Sequence, residues 1–260
     1  MELIKQTIKV GNSAGVLLPK QYLNSKVKII LEPLNIEKDV LDILIEEDLL
    51  KNVKGIYLTG SYVREEQTIE SDIDILVITD KINKRLKKGK YDILLVSSDK
   101  IEERLNKNIL PIIPMLREAK VIINNSLREE YLEEIKLNWK NLKWHVESTE
   151  SAMKVVKEDI GISQELNEKV SNASVYSLIL RLRTIYILDC LIKNKLWKKE
   201  GLLKLIKKIS GSLDSYEIYE DIKNNKKRKD ELSIQEAEKL MNYIIKKTEE
   251  IKKWLKERKD

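Results

Sequence analysis

The sequence is poor in the residue types on which many catalytic and structural sites depend. Its 260 residues include no Phe, one Cys and one His. The single Cys190 excludes a disulfide within the chain and suits a reducing compartment. The single His145 gives no support to a Ser-His-Asp triad, a His-rich zinc site or a His-based ribonuclease motif. No run of about 18 apolar residues occurs, and the N-terminus carries an early acid and alternating lysines, so we expect a cytoplasmic protein without membrane span or signal peptide.

Charge is plentiful and only mildly unbalanced. Lys and Arg number 49 against 43 Asp and Glu, which gives a net charge of +6. This excess permits contact with a polyanion without requiring it. Charged residues make up 35% of a chain that is rich in Ile and Lys, from which we hypothesise a thermophile with an AT-rich genome. The length allows one to three domains with real cores, and we expect them at residues 1–35, 36–128 and 129–260.

The first segment has the pattern of a small β unit. Apolar and polar residues alternate over residues 4–10, which predicts a strand, and "GNSAG" then predicts a turn. A second strand is expected at 16–18, a helical turn at 19–23 and a third strand at 26–31. A unit of this size cannot bury a core by itself, because folds below roughly 40 residues usually need a metal, a disulfide or a partner chain. We therefore expect it to dimerise.

The motif "IKVGNSAGVLLPKQYL", followed by "KVKIIL", resembles the swapped-hairpin DNA-binding module of AbrB, SpoVT and the MazE-type antitoxins. The resemblance implies a homodimer that grips DNA through basic residues on its exposed strands. Two alternatives stay open, because any solvated strand carries charged outward faces and because the module can serve dimerisation alone. The residues that the resemblance assigns to DNA are Lys5, Lys9, Asn12, Lys26 and Lys28.

The rest of the chain divides into an α/β segment and a helical one. Apolar residues at helical spacing predict an amphipathic helix over residues 36–52. Four strands follow, "GIYLTG", "DIDILVI", "YDILLVS" and "AKVIINN", with a Lys-rich turn before the third and a helix around "SDKIEERLN" after it. Residues 129–260 give no strand signal, and their apolar periodicity predicts a helical bundle. The expected fold class is a multi-domain chain of α/β and all-α parts, with the swapped-hairpin β module at its N-terminus.

Acidic side chains stand at the start of two predicted strands. Asp72 and Asp74 are two residues apart on one strand, so they share a face about 6.5 to 7 Å apart along it. Asp92 holds the same early position on the next predicted strand. Three unpaired carboxylates at one edge repel one another, so such a cluster makes sense chiefly around cations. Mg²⁺ prefers oxygen ligands and is usually held by a few carboxylates together with substrate phosphates.

A Gly-Ser turn precedes the acidic strand. Gly60 allows close backbone approach to a ligand, and Ser61 adds an amide and a hydroxyl, which together make a phosphate cradle. Neither the "GxxxxGK[ST]" loop nor the kinase loop set occurs in the sequence. Phosphate chemistry in this chain must therefore use the carboxylates.

This constellation resembles the DNA polymerase β-like nucleotidyltransferase superfamily, in particular the minimal nucleotidyltransferases that are paired with HEPN proteins. The helical third segment is similar to the domains that follow the catalytic domain in kanamycin-type and related archaeal nucleotidyltransferases. The sequence departs from the pattern at Glu65, followed by Glu66, where the family usually has Gly. The positions that match are Gly60 and Ser61 in the turn, Arg64 after it, Ser71 with Asp72 and Asp74, and Asp92.

The resemblance implies roles for these residues. Asp72 and Asp74 would ligate two Mg²⁺ or Mn²⁺ ions, and Asp92 would ligate one of them and take the acceptor proton. Ser61 and Arg64 would hold the β- and γ-phosphates. The implied reaction moves a nucleoside monophosphate, AMP from ATP, onto a hydroxyl of a protein or small molecule, in an antitoxin-like setting with a HEPN-type partner. The alternative is a DNA-binding transcriptional regulator whose nucleotidyltransferase domain only senses nucleotide.

Overall fold

The chain folds as two compact units, residues 1–38 and residues 39–260. The computed structural model describes residues 3, 5, 7–11, 13–30, 34–69, 71–226 and 232–257, and the side chain of Lys9 lies outside this description. None of the helices in the described part of the chain is long and apolar enough to cross a membrane.

The first unit contains a short β-hairpin. Strand β1 (Ile8–Val10) pairs with the antiparallel strand β2 (Ser13–Gly15), and Val10 lies opposite Ser13. The second strand thus lies three residues earlier than predicted, because the two-residue connection sets the register of the hairpin. A 3₁₀ turn follows at Lys20–Tyr22, in the predicted helical turn. The described residues 26–30 form no strand, since a strand requires a hydrogen-bonded neighbour and the described residues of this unit provide none. Asn12 lies outside the described residues.

The second unit is built on a five-stranded sheet. Its order is β5-β6-β4-β3-β7, in which β4 and β6 run parallel and the other neighbours run antiparallel. The strands are β3 (Val53–Thr59), β4 (Ile73–Thr79), β5 (Lys84–Lys88), β6 (Tyr91–Ser97) and β7 (Lys120–Ile123). The α/β organisation and the four predicted strands are confirmed. Strand β5 was expected to be a turn, because a charged edge strand lacks the alternating apolar pattern of a half-buried one.

Helices surround and follow this sheet. The predicted amphipathic helix is shorter than expected, with α1 ending at Glu46 and a 3₁₀ turn at Leu50–Asn52 before β3. Val40 and Leu44 are the fully buried residues of α1, in keeping with its predicted apolar face. The helices are α1 (Ile36–Glu46), α2 (Ser98–Lys107), α3 (Ile112–Glu118), α4 (Asn125–Glu133), α5 (Trp139–Leu166), α6 (Asn172–Ile192), α7 (Lys199–Ser210), α8 (Asp214–Lys223) and α9 (Ile234–Lys256).

A continuous apolar core joins the sheet to the helical part of the second unit. It runs from Tyr57 of β3 through Ile112 of α3 to Leu178 of α6. Helix α4 crosses residue 128, where the sequence suggested a boundary. The helical C-terminal part is confirmed, and α9 buries its apolar stripe as its spacing predicts. The sheet and the helices therefore support a site at the edge of the sheet as one packed body.

Candidate active site

Two of the predicted acidic residues lie directly opposite each other in the sheet. Parallel pairing of β4 with β6 places Asp74 in register with Asp92, one residue after the starts of the two strands. Asp72 precedes β4 by one residue and falls on the same side as Asp74, because side chains alternate along an extended chain. The structure therefore brings the three aspartates to one edge of the sheet, where the two parallel strands begin.

Asp74 is the aspartate of this group whose ionised form is least favourable. Burial raises the pKa of its carboxyl above the usual value, and the charges of Asp92 and Asp72 raise it further, although Arg64 and Arg85 oppose them. The carboxylate of Asp74 makes neither a hydrogen bond nor an ion pair within the described residues. An ionised, half-buried carboxylate without a partner is a place where a cation is stabilising.

The other two aspartates are paired with cations from β5. Arg85 binds Asp92 in a bidentate manner, with Nε to Oδ1 at 2.7 Å and Nη2 to Oδ2 at 2.6 Å. The hydrogen bonds from Arg85 lower the pKa of Asp92 despite its partial burial. Lys87 binds Oδ2 of Asp72 at 3.0 Å. Sequence reasoning missed both cations, although their spacing of two residues was a signal that they share one face of a strand.

The Gly-Ser turn packs directly against the aspartates. It follows β3 as a 3₁₀ turn at Gly60–Tyr62, and Gly60 has a φ of +75°. A Cβ atom at this position would lie 2.9 Å from Cγ of Asp74, so only glycine fits both the backbone conformation and the space. Thr59 reinforces the approach by donating its hydroxyl to the carbonyl of Asp74 at 3.2 Å. The half-buried Ser61 follows Gly60 in this turn, and its assignment to phosphate stays a prediction.

Arg64 takes part in a network that fastens this turn to distant parts of the chain. Its Nη1 donates to both carboxylate oxygens of Glu118 at 2.8 Å, and its Nε donates to Glu66 at 2.8 Å. Its guanidinium carbon lies 4.2 Å from the ring centroid of Trp197. Glu66 in turn accepts the backbone N–H of Lys199, the first residue of α7, at 2.7 Å.

The same network occupies part of the expected phosphate cradle. The backbone N–H of Gly60 donates to Oε1 of Glu118 at 2.8 Å. Glu118 is nearly buried, with 6% of its side chain exposed. Both Gly60 and Arg64, which the resemblance assigns to phosphate, therefore bind a carboxylate of the chain itself. Glu118 and Trp197 were not predicted, because sequence spacing gives no sign of partners that are 54 or more residues away.

The two remaining predicted features shape the loop between the turn and β4. Ser71 accepts the backbone N–H of Thr68 at 2.8 Å, and its own N–H donates to the carbonyl of Thr68 at 3.1 Å, so it forms the tight turn just before Asp72. Glu65 has a φ of +58° and an exposed side chain. At the position where the resemblance implies Gly, the backbone is thus in the left-handed conformation that favours Gly, with Glu in its place.

The three aspartates carry oxygen ligands that suit a divalent cation, although two of them are paired with basic side chains of the same chain. Among the described residues, no three Asp, Glu, His or Cys side chains are placed to hold one metal ion together. Asp72 and Asp92 are occupied by Lys87 and Arg85, and Asp74 has no partner. The donors are carboxylate oxygens, which Mg²⁺ and Mn²⁺ prefer. Burial raises the pKa of Asp74 most, and the charges of Asp92 and Asp72, which a cation would offset, raise it further. The residues fit such an ion once the two ion pairs open.

The part of the chain that carries this site matches a known protein family. Residues 37–147 match the family model of the nucleotidyltransferase domain. Among solved structures, the chain is similar to a nucleotidyltransferase-like protein from Exiguobacterium sibiricum, with 16% identity and a TM-score of 0.35 over 83% of this chain and 75% of that one. It is also similar to spectinomycin adenyltransferase from Enterococcus faecialis, solved with ATP and spectinomycin, with 15% identity and a TM-score of 0.40 over 82% of this chain and 98% of that one. No curated protein sequence gives a significant match.

The family match covers the whole acidic edge. The range 37–147 contains the turn at Gly60 and Ser61, the aspartates on β4 and β6, and the β5 cations that pair with them. Residues 37–147 of this chain thus match the nucleotidyltransferase domain, which confirms the prediction of a nucleotidyltransferase.

Proposed function

We propose that this protein is a Mg²⁺- or Mn²⁺-dependent nucleotidyltransferase that moves AMP from ATP onto a hydroxyl of a protein or small molecule. The observation that carries the proposal is the register of Asp74 opposite Asp92, with Asp72 on the same side, beside the glycine turn. The preference for AMP and ATP rests on the resemblance to the minimal nucleotidyltransferases. An antitoxin-like role with a HEPN-type partner is part of the same proposal, and a HEPN-like gene beside this one would support it.

Asp72, Asp74 and Asp92 would hold the metal, which when bound neutralises phosphate charge and stabilises the departing pyrophosphate. Ser61 would bind phosphate oxygens through its amide and hydroxyl. Asp92 would also accept the proton of the acceptor hydroxyl. The acceptor oxygen forms a bond to the α-phosphorus, the bond from that phosphorus to the bridging oxygen breaks, and pyrophosphate leaves.

Labelled transfer tests this proposal directly. Cell extract is incubated with the protein, α-labelled ATP, CTP, GTP or UTP, and Mg²⁺ or Mn²⁺. The wild type is compared with the Asp72→Ala, Asp74→Ala double variant and with Asp80→Ala, which removes an acid at the other end of the same strand. We expect label on an acceptor with the wild type and Asp80→Ala, only from ATP, and none with the double variant. Labelling that survives in the double variant would refute the assignment of the site.

A second candidate function comes from the N-terminal unit, namely DNA binding by a dimeric module. None of the described residues from 3 to 38 is buried, and large apolar side chains are unusually exposed there. Such a surface is typical of a unit whose core forms only with a second copy. The exposed side chains of Lys5, Lys26 and Lys28 supply positive charge for phosphate contacts. In this candidate the nucleotidyltransferase domain senses nucleotide and the protein regulates its own promoter.

Salt dependence of DNA binding tests the second candidate. Binding to the protein's own promoter fragment is measured across a range of salt concentrations for the wild type and for Lys5→Ala with Lys9→Ala. The control is Lys51→Ala with Lys81→Ala, which removes the same charge from exposed residues outside the module. We expect steep salt dependence that only the first pair of substitutions abolishes. Binding that is absent, insensitive to salt or equally weakened by the control would exclude the regulator.

A further inference from the structure

Strand β5 presents two cations to the aspartates on one face and two lysines to other acids on its opposite face. Arg85 and Lys87, two residues apart, bind Asp92 and Asp72. On the opposite face, Lys84 and Lys88 bind Glu47, and Lys88 also binds Glu46. The strand therefore divides its positive charge between the acidic edge of the sheet and the acidic end of α1.

Arg85 blocks the oxygen atoms that a metal ion would need. Both carboxylate oxygens of Asp92 accept hydrogen bonds from its guanidinium, at 2.7 and 2.6 Å. Asp92 itself is well shielded, with 10% of its side chain exposed, so few other partners can reach it. A divalent ion can bind Asp92 only by displacing a bidentate, charge-assisted pair. The same competition, with a single hydrogen bond, applies to Lys87 at Asp72.

The two cations are free to move away when they are displaced. The side chain of Arg85 is 71% exposed and that of Lys87 is 62% exposed. Both lie on the outermost strand of the sheet, and each binds only its aspartate among the ion pairs of the described residues. The exposed Lys87–Asp72 pair contributes little stability and costs little to open, whereas the bidentate Arg85–Asp92 pair is the stronger competitor for a metal ion. Once open, they leave two positive side chains at the acidic edge of the sheet.

We propose that Arg85 and Lys87 are exchangeable counter-ions of the aspartates. They neutralise Asp92 and Asp72 while the site holds no metal, and they turn to the phosphate oxygens of the nucleotide when a divalent ion takes their place. This inference rests on the proposed metal-dependent function, and it adds the order in which the metal ion and the nucleotide bind. The free protein binds a divalent ion weakly, and the ion binds tightly only together with a triphosphate that accepts the displaced cations.

Direct metal titration tests this order without measuring transfer. Mn²⁺ binding to the full chain is measured by calorimetry for the wild type and for Arg85→Gln with Lys87→Gln. The matched control is Lys84→Gln with Lys88→Gln, which removes the same charge from the other face of the same strand. The titration is then repeated in the presence of a non-hydrolysable ATP analogue. Arg85→Lys serves as a milder variant that keeps the charge but loses the bidentate geometry.

Removing the charges of Arg85 and Lys87 is expected to raise the affinity for Mn²⁺ without nucleotide and to lower it with nucleotide. Without nucleotide, Arg85→Gln with Lys87→Gln should bind Mn²⁺ about tenfold more tightly than the wild type, because the competing cations are gone. With the analogue present, the same variant should bind Mn²⁺ and nucleotide about tenfold more weakly. Arg85→Lys should fall between, and the control should stay close to the wild type.

The failures can be told apart. If Arg85→Gln with Lys87→Gln binds Mn²⁺ no more tightly than the wild type and the control do, the counter-ion role is overturned and the proposed function still stands. Tighter Mn²⁺ binding without weaker nucleotide binding would overturn the second half of the proposal, in which the cations turn to phosphate. If the wild type and all variants bind no Mn²⁺, with or without the analogue, both the inference and the metal-dependent function are wrong.

Discussion

Arg64 and Glu118 lie 54 residues apart and form one of the best-shielded ion pairs in the protein, with Nη1 at 2.8 Å from each carboxylate oxygen and with 13% and 6% of the side chains exposed. Glu118 also accepts the N–H of Gly60. The pair therefore ties the Gly-Ser turn to the end of α3. Its position makes it a support of the turn's shape rather than an exposed phosphate ligand.

The first prediction concerns this pair. Glu118→Gln should lower the free energy of unfolding by about 2 kcal/mol, because the nearly buried guanidinium of Arg64 loses one of its two charged partners and keeps only Glu66. Glu103→Gln removes a carboxylate from exposed ion pairs and should change stability by less than about 0.5 kcal/mol. Urea unfolding followed by tryptophan fluorescence measures both. Equal effects of the two substitutions would show that the Arg64–Glu118 pair contributes no more to the free energy of unfolding than an exposed ion pair does.

A second prediction concerns the left-handed residue at the end of the turn. Glu65 has a φ of +58° and its side chain is exposed, so Glu65→Gly should relieve backbone strain and raise stability by up to about 1 kcal/mol. Glu65→Ala removes the same charge but keeps the strain, and it should bring no gain. Thermal unfolding of the three proteins decides the point. If Ala stabilises as much as Gly, charge repulsion with neighbouring acids is the cause and backbone strain is not.

The third prediction concerns two aspartates of the site, Asp74 and Asp92, whose ionised forms have opposite effects on stability. Burial and like charge raise the pKa of Asp74, so its ionised form costs stability as the pH rises above the ordinary value of 3.8. Arg85 lowers the pKa of Asp92, whose ionised form therefore adds stability that is lost in acid. In metal-free buffer at pH 7, Asp74→Asn should stabilise and Asp92→Asn should destabilise, each by about 1 kcal/mol.

Melting temperatures in the presence of EDTA provide the measurement. The gain from Asp74→Asn should vanish below about pH 3.8, where the carboxyl is protonated in both folded and unfolded chains. Shifts of the same sign for both variants at pH 7 would contradict the assigned electrostatics. The contrast is informative because stabilisation by loss of a carboxylate is typical of a residue kept for function.

Local sequence signals predicted much of this site, and long-range contacts decided the rest. The apolar runs after Asp74 and Asp92 identified two strands, and their parallel register then placed the two acids together. Arg85 and Lys87 escaped prediction because an edge strand made of charged residues has no apolar face to reveal it. Glu118 escaped because its contact with Arg64 depends on how α3 packs against the end of β3, which no local pattern encodes.

The fourth prediction concerns the N-terminal unit. Val27 and Ile29 are two residues apart, so they would share one face of a strand, and they are 58% and 61% exposed in the single chain. If that face belongs to a dimer core, the wild type should sediment as a dimer, and Val27→Lys with Ile29→Lys should sediment as a monomer. Lys26→Gln with Lys28→Gln alters the opposite face and should leave the dimer intact. A wild-type monomer at tens of micromolar in analytical ultracentrifugation would contradict the prediction.

The last prediction concerns acid sensitivity. His145 on α5 is 3% exposed, and its Nε2 has no hydrogen-bond partner in the described structure. Burial and the nearby charge of Arg181 lower its pKa from 6.5 to about 4. Between these two values the unfolded chain binds a proton that the folded chain does not, so stability is complete above pH 6.5 and falls as the pH drops toward 4. This single group accounts for a loss of a few kcal/mol across that window.

His145→Leu removes the titrating group and should flatten the dependence of stability on pH between 6.5 and 4. The comparison uses the slope of the unfolding free energy in urea at several pH values, so a constant loss of stability from the substitution itself does not matter. Carboxylates titrate in both proteins and cancel in the difference. Curves that stay parallel from pH 7 to pH 4 would mean that His145 takes up its proton in the folded state as readily as in the unfolded one, and that its burial does not govern the acid sensitivity of the protein.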